Sequence, residues 1–130
     1  KLHSLGDKEY AIRTRWAFAM DYLGTLFSLR KDIGSAIIAH KKALEINPYD
    51  PFTMGNLAMA YLKTGDRTKA IAILKEAIHL DSTRAIAYFQ LAYVYSLNRE
   101  KQKAIDALQK GLKYDPDNSN AKRMLQQLKS

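Results

Sequence analysis

Residues 51–84 read PFTMGNLAMAYLKTGDRTKAIAILKEAIHLDSTR, and this stretch decides the fold. Met54, Leu57, Ala58 and Tyr61 stand at i, i+3, i+4 and i+7, which places four apolar side chains on one helix face. A second stripe follows at Ala70, Ile71, Leu74, Ala77 and Ile78. Between them, Lys63-Thr64-Gly65-Asp66 supplies a glycine for a left-handed helix end and an aspartate to start the next helix. The segment therefore predicts a hairpin of two amphipathic helices. A lone hairpin cannot bury both stripes, so it needs like neighbours to stack against.

The chain contains those neighbours. Leu23, Leu57 and Leu91 lie 34 residues apart, each followed by a small residue (Gly24, Ala58, Ala92) and then by an aromatic (Phe27, Tyr61, Tyr95). The pairs Ala36-Ile37, Ala70-Ile71 and Ala104-Ile105 keep the same period, as do Ala43, Ala77 and Gly111. The units run 17–50, 51–84 and 85–118 without insertion, closing on Asn47-Pro48, Asp81-Ser82 and Asp115-Pro116. A proline at that point stops a helix, because the residue before it resists the helical region. The hairpin turns at Arg30-Lys31-Asp32 and Asn98-Arg99-Glu100 lack the glycine, and Asn98 is the expected substitute in the third unit.

This columned pattern resembles the tetratricopeptide repeat (TPR) family, whose signature is aromatic-x2-Leu-Gly-x2-Tyr, then Ala-x3-Phe, then Ala and Pro. The resemblance covers units 17–118 in three copies. It departs at the first large position, where Met20, Met54 and Tyr88 replace the family's Trp, and at the later aromatic position, which holds His40, Leu74 and Leu108. The fold it implies is all-α, a right-handed alpha-alpha superhelix of about seven helices. Residues 119–130 carry Ala121, Met124, Leu125 and Leu128 in helical spacing and are expected to form a C-terminal capping helix. Residues 1–16 do not fit a preceding repeat. Ile12, Trp16, Met20, Leu23 and Phe27 form one stripe instead, which predicts a first helix from near Asp7 to about Leu29, with Trp16 expected to pack on the first hairpin, the alternative being that it awaits a partner outside this sequence.

Composition narrows the function. The 47% hydrophobic and 26% charged content is that of a folded chain, and no run approaches the eighteen or so apolar residues of a membrane span. Zero cysteines exclude disulfides and thiolate metal sites, which fits the cytoplasm without requiring it. The first residue is Lys1 rather than Met, as expected of a fragment or a processed chain, so the compartment stays open. His3, His40 and His79 share no metal-ligand spacing, and His40 falls on a core-facing column where a satisfied, partly buried imidazole is expected. No phosphate loop, zinc-protease motif or nucleophile elbow occurs, so neither an enzyme nor a cofactor is expected.

In the TPR architecture the first helix of each hairpin lines a concave groove. The residues that the resemblance places there are Phe18, Asp21, Tyr22 and Thr25 in the first unit. Phe52, Asn56, Met59 and Leu62 follow in the second, then Ile86, Phe89, Gln90, Tyr93 and Leu97 in the third. So apolar a surface marks an interaction site, and the expected partner is another polypeptide presenting an apolar or aromatic-bearing helix or extended segment. Family members that grip acidic chaperone tails use a clamp of Lys, Asn and Arg. The clamp columns here hold Asp21, Thr25, Asn56, Ile86 and Gln90, and only Asn56 matches, which speaks against that mode. The alternative is self-association through the extended first helix or the groove. A net charge of +8 recurs on outward columns such as Lys69, Lys75 and Lys103 without interleaved aromatics, so a nucleic-acid or membrane-surface role is disfavoured.

Overall fold

The computed structural model describes residues 2–130, with side chains from Gly6 onward. His3 is among the side chains outside the described part. Seven α-helices follow in order: α1 (Leu2–Leu29), α2 (Ile33–Ile46), α3 (Pro51–Lys63), α4 (Arg67–Leu80), α5 (Ala85–Leu97), α6 (Lys101–Tyr114) and α7 (Ser119–Lys129). Consecutive helices pack against one another throughout, and α3 also touches both α1 and α5. The first helices of the three hairpins therefore form an adjoining row.

Local chemistry sets the helix ends. Asp32, Asp50, Asp66 and Asn118 cap α2, α3, α4 and α7 by accepting a backbone N–H from Ser35, Phe52, Lys69 and Ala121 respectively. Within each hairpin the turn is the same Schellman closure. The N–H of Asp32, Asp66 and Glu100 reaches back to the carbonyl of Phe27, Tyr61 and Tyr95 at 2.9, 3.0 and 2.9 Å. The residue before each takes a left-handed backbone: Lys31 (φ 64°), Gly65 (φ 85°) and Arg99 (φ 60°).

Asn98 is not the glycine substitute that the sequence suggests. It stays right-handed at φ −80° and leaves the strained position to Arg99. The closure fixes which column turns left-handed, and the residue there conforms. Arg99→Gly removes a Cβ penalty at an exposed site and is expected to raise stability by about 0.5–1 kcal/mol in urea denaturation. A loss of stability would show that the Arg99 side chain holds the turn.

The core runs between the hairpins. Ala58, Ala70, Leu74, Leu91, Ala92, Val94, Ala104 and Leu108 are buried in one cluster, against which Met124, Leu125 and Leu128 of α7 also pack. Small residues on one column face large ones on the next, which lets the paired helices approach.

The first helix departs from expectation in two ways. It begins at Leu2, so Asp7 lies within it and does not cap it. Its 28 residues make it twice as long as α2, and every residue from Gly6 to Trp16 is exposed. Trp16 keeps 60% of its surface in contact with solvent and is not packed on the first hairpin. The stripe Ile12–Trp16–Leu23 is real, but α2 ends too soon to cover its start.

Candidate functional site

The row of first helices carries the candidate groove. Phe18, Phe52 and Ile86 occupy one 34-residue column, and all three are exposed. Tyr22, Tyr93 and Leu97 are exposed on neighbouring columns. The remaining apolar candidates are placed differently. Met59 and Leu62 lie half-buried against the core cluster.

Phe89 is also half-buried against that cluster. Its ring rests on Gly111, where an added Cβ would come within 2.4 Å of Cε1. It shares a cleft with Leu108, Ala121 and Met124 towards the C-terminal helix. Its bulk fills space that glycine vacates on α6, so it serves packing first.

Beside this row sits a polar centre. Asp21 is 5% and His40 2% exposed, and His40 Nδ1 donates to Asp21 Oδ1 at 2.7 Å. Asn56 Nδ2 donates to both carboxylate oxygens, at 3.3 and 3.0 Å. The three residues come from α1, α2 and α3 and tie the first two hairpins together. His40 is satisfied as expected, but by a carboxylate nineteen positions away. Asp21 is therefore an internal acceptor, and Asn56 directs its amide inward as well as bordering the groove. The imidazole fits only because Gly24 lies beneath it; a Cβ there would sit 2.6 Å from His40 Cε1. A small polar recess lined by Thr25, Ser28, His40, Asn56, Met59 and Lys63 opens beside it.

Arg84 is a residue that the repeat pattern does not flag. It occupies the N-cap position of α5 without a capping hydrogen bond, and its guanidinium lies 5.7 Å over the Phe52 ring. Its Nη1 is buried and unpartnered, as is Oε1 of Gln90. Both atoms lie within 4 Å of the point where a Cβ on Gly55 would stand, so this glycine opens the space they occupy.

The basic columns are not free of aromatic neighbours, contrary to what the sequence suggests. Lys69 lies 5.3 Å over Tyr61 and pairs with Asp66, while Lys103 lies 5.7 Å over Tyr95 and pairs with Glu100. These lysines thus engage their own repeat. At the α4–α5 turn, hydrogen bonds from the Thr83 hydroxyl and N–H hold the Asp81 carboxyl below its usual pKa. Burial pushes the Tyr88 hydroxyl up, and that hydroxyl donates to the Ser82 carbonyl. Among the described residues no three His, Cys, Asp or Glu side chains gather as a metal site, and no helix is long and apolar enough to cross a membrane.

Comparison with known proteins places the chain. Residues 65–128 match the family described as Tetratricopeptide repeat. The chain is 37% identical over 95 residues to the small glutamine-rich tetratricopeptide repeat-containing protein 2 of Mycosarcoma maydis, covering 73% of this chain but 27% of that protein. The Sgt2 TPR domain from Aspergillus fumigatus superposes with a TM-score of 0.82 at 25% identity, covering 87% of this chain and 76% of that one. The first TPR of Spaghetti (RPAP3), solved bound to the HSP90 peptide SRMEEVD, superposes at 0.84 with 20% identity, covering 89% and 92%. The last is a likeness of fold.

Proposed function

The chain belongs to the tetratricopeptide repeat family, and on that premise we propose that it is an adaptor that holds a segment of another polypeptide along its row of first helices. One observation carries the reading: a column of large apolar side chains, Phe18, Phe52 and Ile86, stays exposed across three successive hairpins. Tyr22, Tyr93 and Leu97 widen it. Aromatic anchors on a rigid scaffold are what dominate polypeptide interfaces. Asn56, Met59, Leu62 and Gln90 border the groove, and Arg84 lies over the Phe52 ring at its edge. This reading assigns no reaction to the chain.

The ligand class follows from the charges. The RPAP3 domain takes a peptide ending in two glutamates, valine and aspartate. On the clamp columns that the family resemblance implies, this chain has the Asp21 carboxylate, which already uses the Asn56 amide. A second carboxylate there would meet like charge and an occupied donor. The proposed ligand is accordingly a helix or extended segment with apolar or aromatic anchors, not an acidic tail.

Selection from a random peptide display library, followed by anisotropy titration, tests this. Enriched peptides should carry aromatic or aliphatic anchors and lose at least about tenfold in affinity against Phe52→Ala combined with Tyr93→Ala. SRMEEVD should bind no better than its C-terminal amide. Tight SRMEEVD binding that amidation abolishes would replace this ligand class with an acidic one. Selected peptides indifferent to the double substitution would move the site elsewhere.

A further inference from the structure

The edge of the array formed by α1 and α2 is built like an internal repeat interface, and no other described residue packs upon it. Leu23, Leu57 and Leu91 are the same residue on the same column. The preceding hairpin leaves Leu57 at 4% and Leu91 at 7% exposure, whereas Leu23 retains 38%. An apolar groove of about 360 Å³ runs beside Leu23, lined by Met20, Phe27, Ile38 and Ala39. The same columns in the third hairpin, Tyr88, Leu91, Tyr95 and Ala107, line a comparable groove, to which Ile78 of the preceding helix α4 adds one wall. The fold itself therefore indicates what suits such a groove: a helix with an aliphatic or aromatic ridge.

The exposed face of α1 has such a ridge. Ile12, Trp16, Ala19, Leu23 and Leu26 are spaced 4, 3, 4 and 3 residues apart, the seam of a helix that packs on another helix by knobs into holes. All five are exposed. The charges at its ends choose the partner's direction. Glu9 precedes the seam and Arg30 follows it in the same heptad phase. A parallel pairing of two copies would set Glu9 on Glu9 and Arg30 on Arg30. An antiparallel pairing sets Trp16 against Leu26, Ala19 against Leu23, and Ile12 against the aliphatic stem of Arg30. It also brings Arg13 opposite Phe27, a cation over an aromatic, and opposes no like charges along the seam.

We propose that the chain forms an antiparallel dimer through α1, with Trp16 of each copy seated beside Leu26 at the mouth of the other copy's Leu23–Phe27 groove. The seam spans roughly 21 Å from Ile12 to Leu26. With Met20, Phe27 and Ile38 added, the contact buries on the order of 1,000 Å² in total, the lower bound for a specific interface. The face lies on a different side of α1 from Phe18, so the dimer and the peptide groove stand or fall separately.

Sedimentation equilibrium of the full chain from about 1 μM to about 1 mM measures the association. Trp16→Ala and Leu26→Glu should each weaken it at least about tenfold while leaving helix content unchanged, since both side chains are solvent-exposed. The chain has no cysteine of its own, so orientation can be read directly by oxidation. A mixture of Ile12→Cys and Arg30→Cys chains should cross-link, and neither should do so alone, because each position lies about 27 Å from its own copy in the antiparallel pair. A monomer throughout the range overturns the proposal. So does a dimer indifferent to both substitutions, or cross-linking of each single variant without the mixed product.

Discussion

Asp21→Leu is expected to lower the unfolding free energy by about 2–3 kcal/mol, because it leaves buried hydrogen-bonding groups without their acceptor. Among the described residues Asp21 is the sole hydrogen-bonding partner of the His40 ring, and it takes two hydrogen bonds from Asn56. Removing it strands a buried imidazole N–H and releases the amide that joins the first two hairpins. Asp21→Asn keeps an acceptor in place and should lose less, about 1–2 kcal/mol. Urea denaturation followed by far-UV circular dichroism measures both. If the leucine variant unfolded within about 1 kcal/mol of wild type, the three-residue centre would contribute no more than an ordinary surface hydrogen bond.

The effect should also be uneven along the chain. The second and third hairpins have Leu74 and Leu108 where the first has His40, so their packing does not depend on this centre. In a solenoid whose units contact only neighbours, losing one interface loosens that end first. Amide exchange in the Asp21→Leu chain should therefore accelerate in α1 and α2 more than in α5 and α6.

The 34-residue columns make the helices, the hairpins and the exposed Phe18–Phe52–Ile86 column readable without coordinates, because periodicity reports directly on which face a residue occupies. What a face meets is another matter. The Ile12–Trp16–Leu23 stripe announces an apolar face but cannot say that α2 stops short of it. Phe89 shares its column with Asp21 and Gly55, and only the missing Cβ of Gly111, on the next helix, draws it inward. Arg84 stands on the N-cap column of Asp50 and Asn118 without capping its helix, and its place over Phe52 arises from the turn between α4 and α5. Lys31 and Arg99 adopt left-handed backbones because the helix closure demands it, against their own preference. One signal was available for the polar centre. The first unit breaks pattern twice, with glycine at the small column and histidine at the leucine column, and paired exceptions within one repeat point to a mutual contact.

That pairing can be tested as a coupling. Gly24→Ala places a methyl 2.6 Å from the His40 ring, and overpacking of this kind costs about 1–3 kcal/mol. His40→Leu leaves Asp21 with Asn56 alone and should cost a similar amount. Together the two substitutions reproduce the combinations Ala58 with Leu74 and Ala92 with Leu108, whose four members are all fully buried. The double variant should thus lose less than the sum of the single losses, by about 1 kcal/mol or more in a double-mutant cycle. The same logic extends to the third unit, where Gly111→Ala would press on the Phe89 ring and Phe89→Leu should relieve it. Additive losses at both sites would mean that the backbone shifts to absorb the new methyl groups, and that glycine stands in these columns for some reason other than the ring beside it.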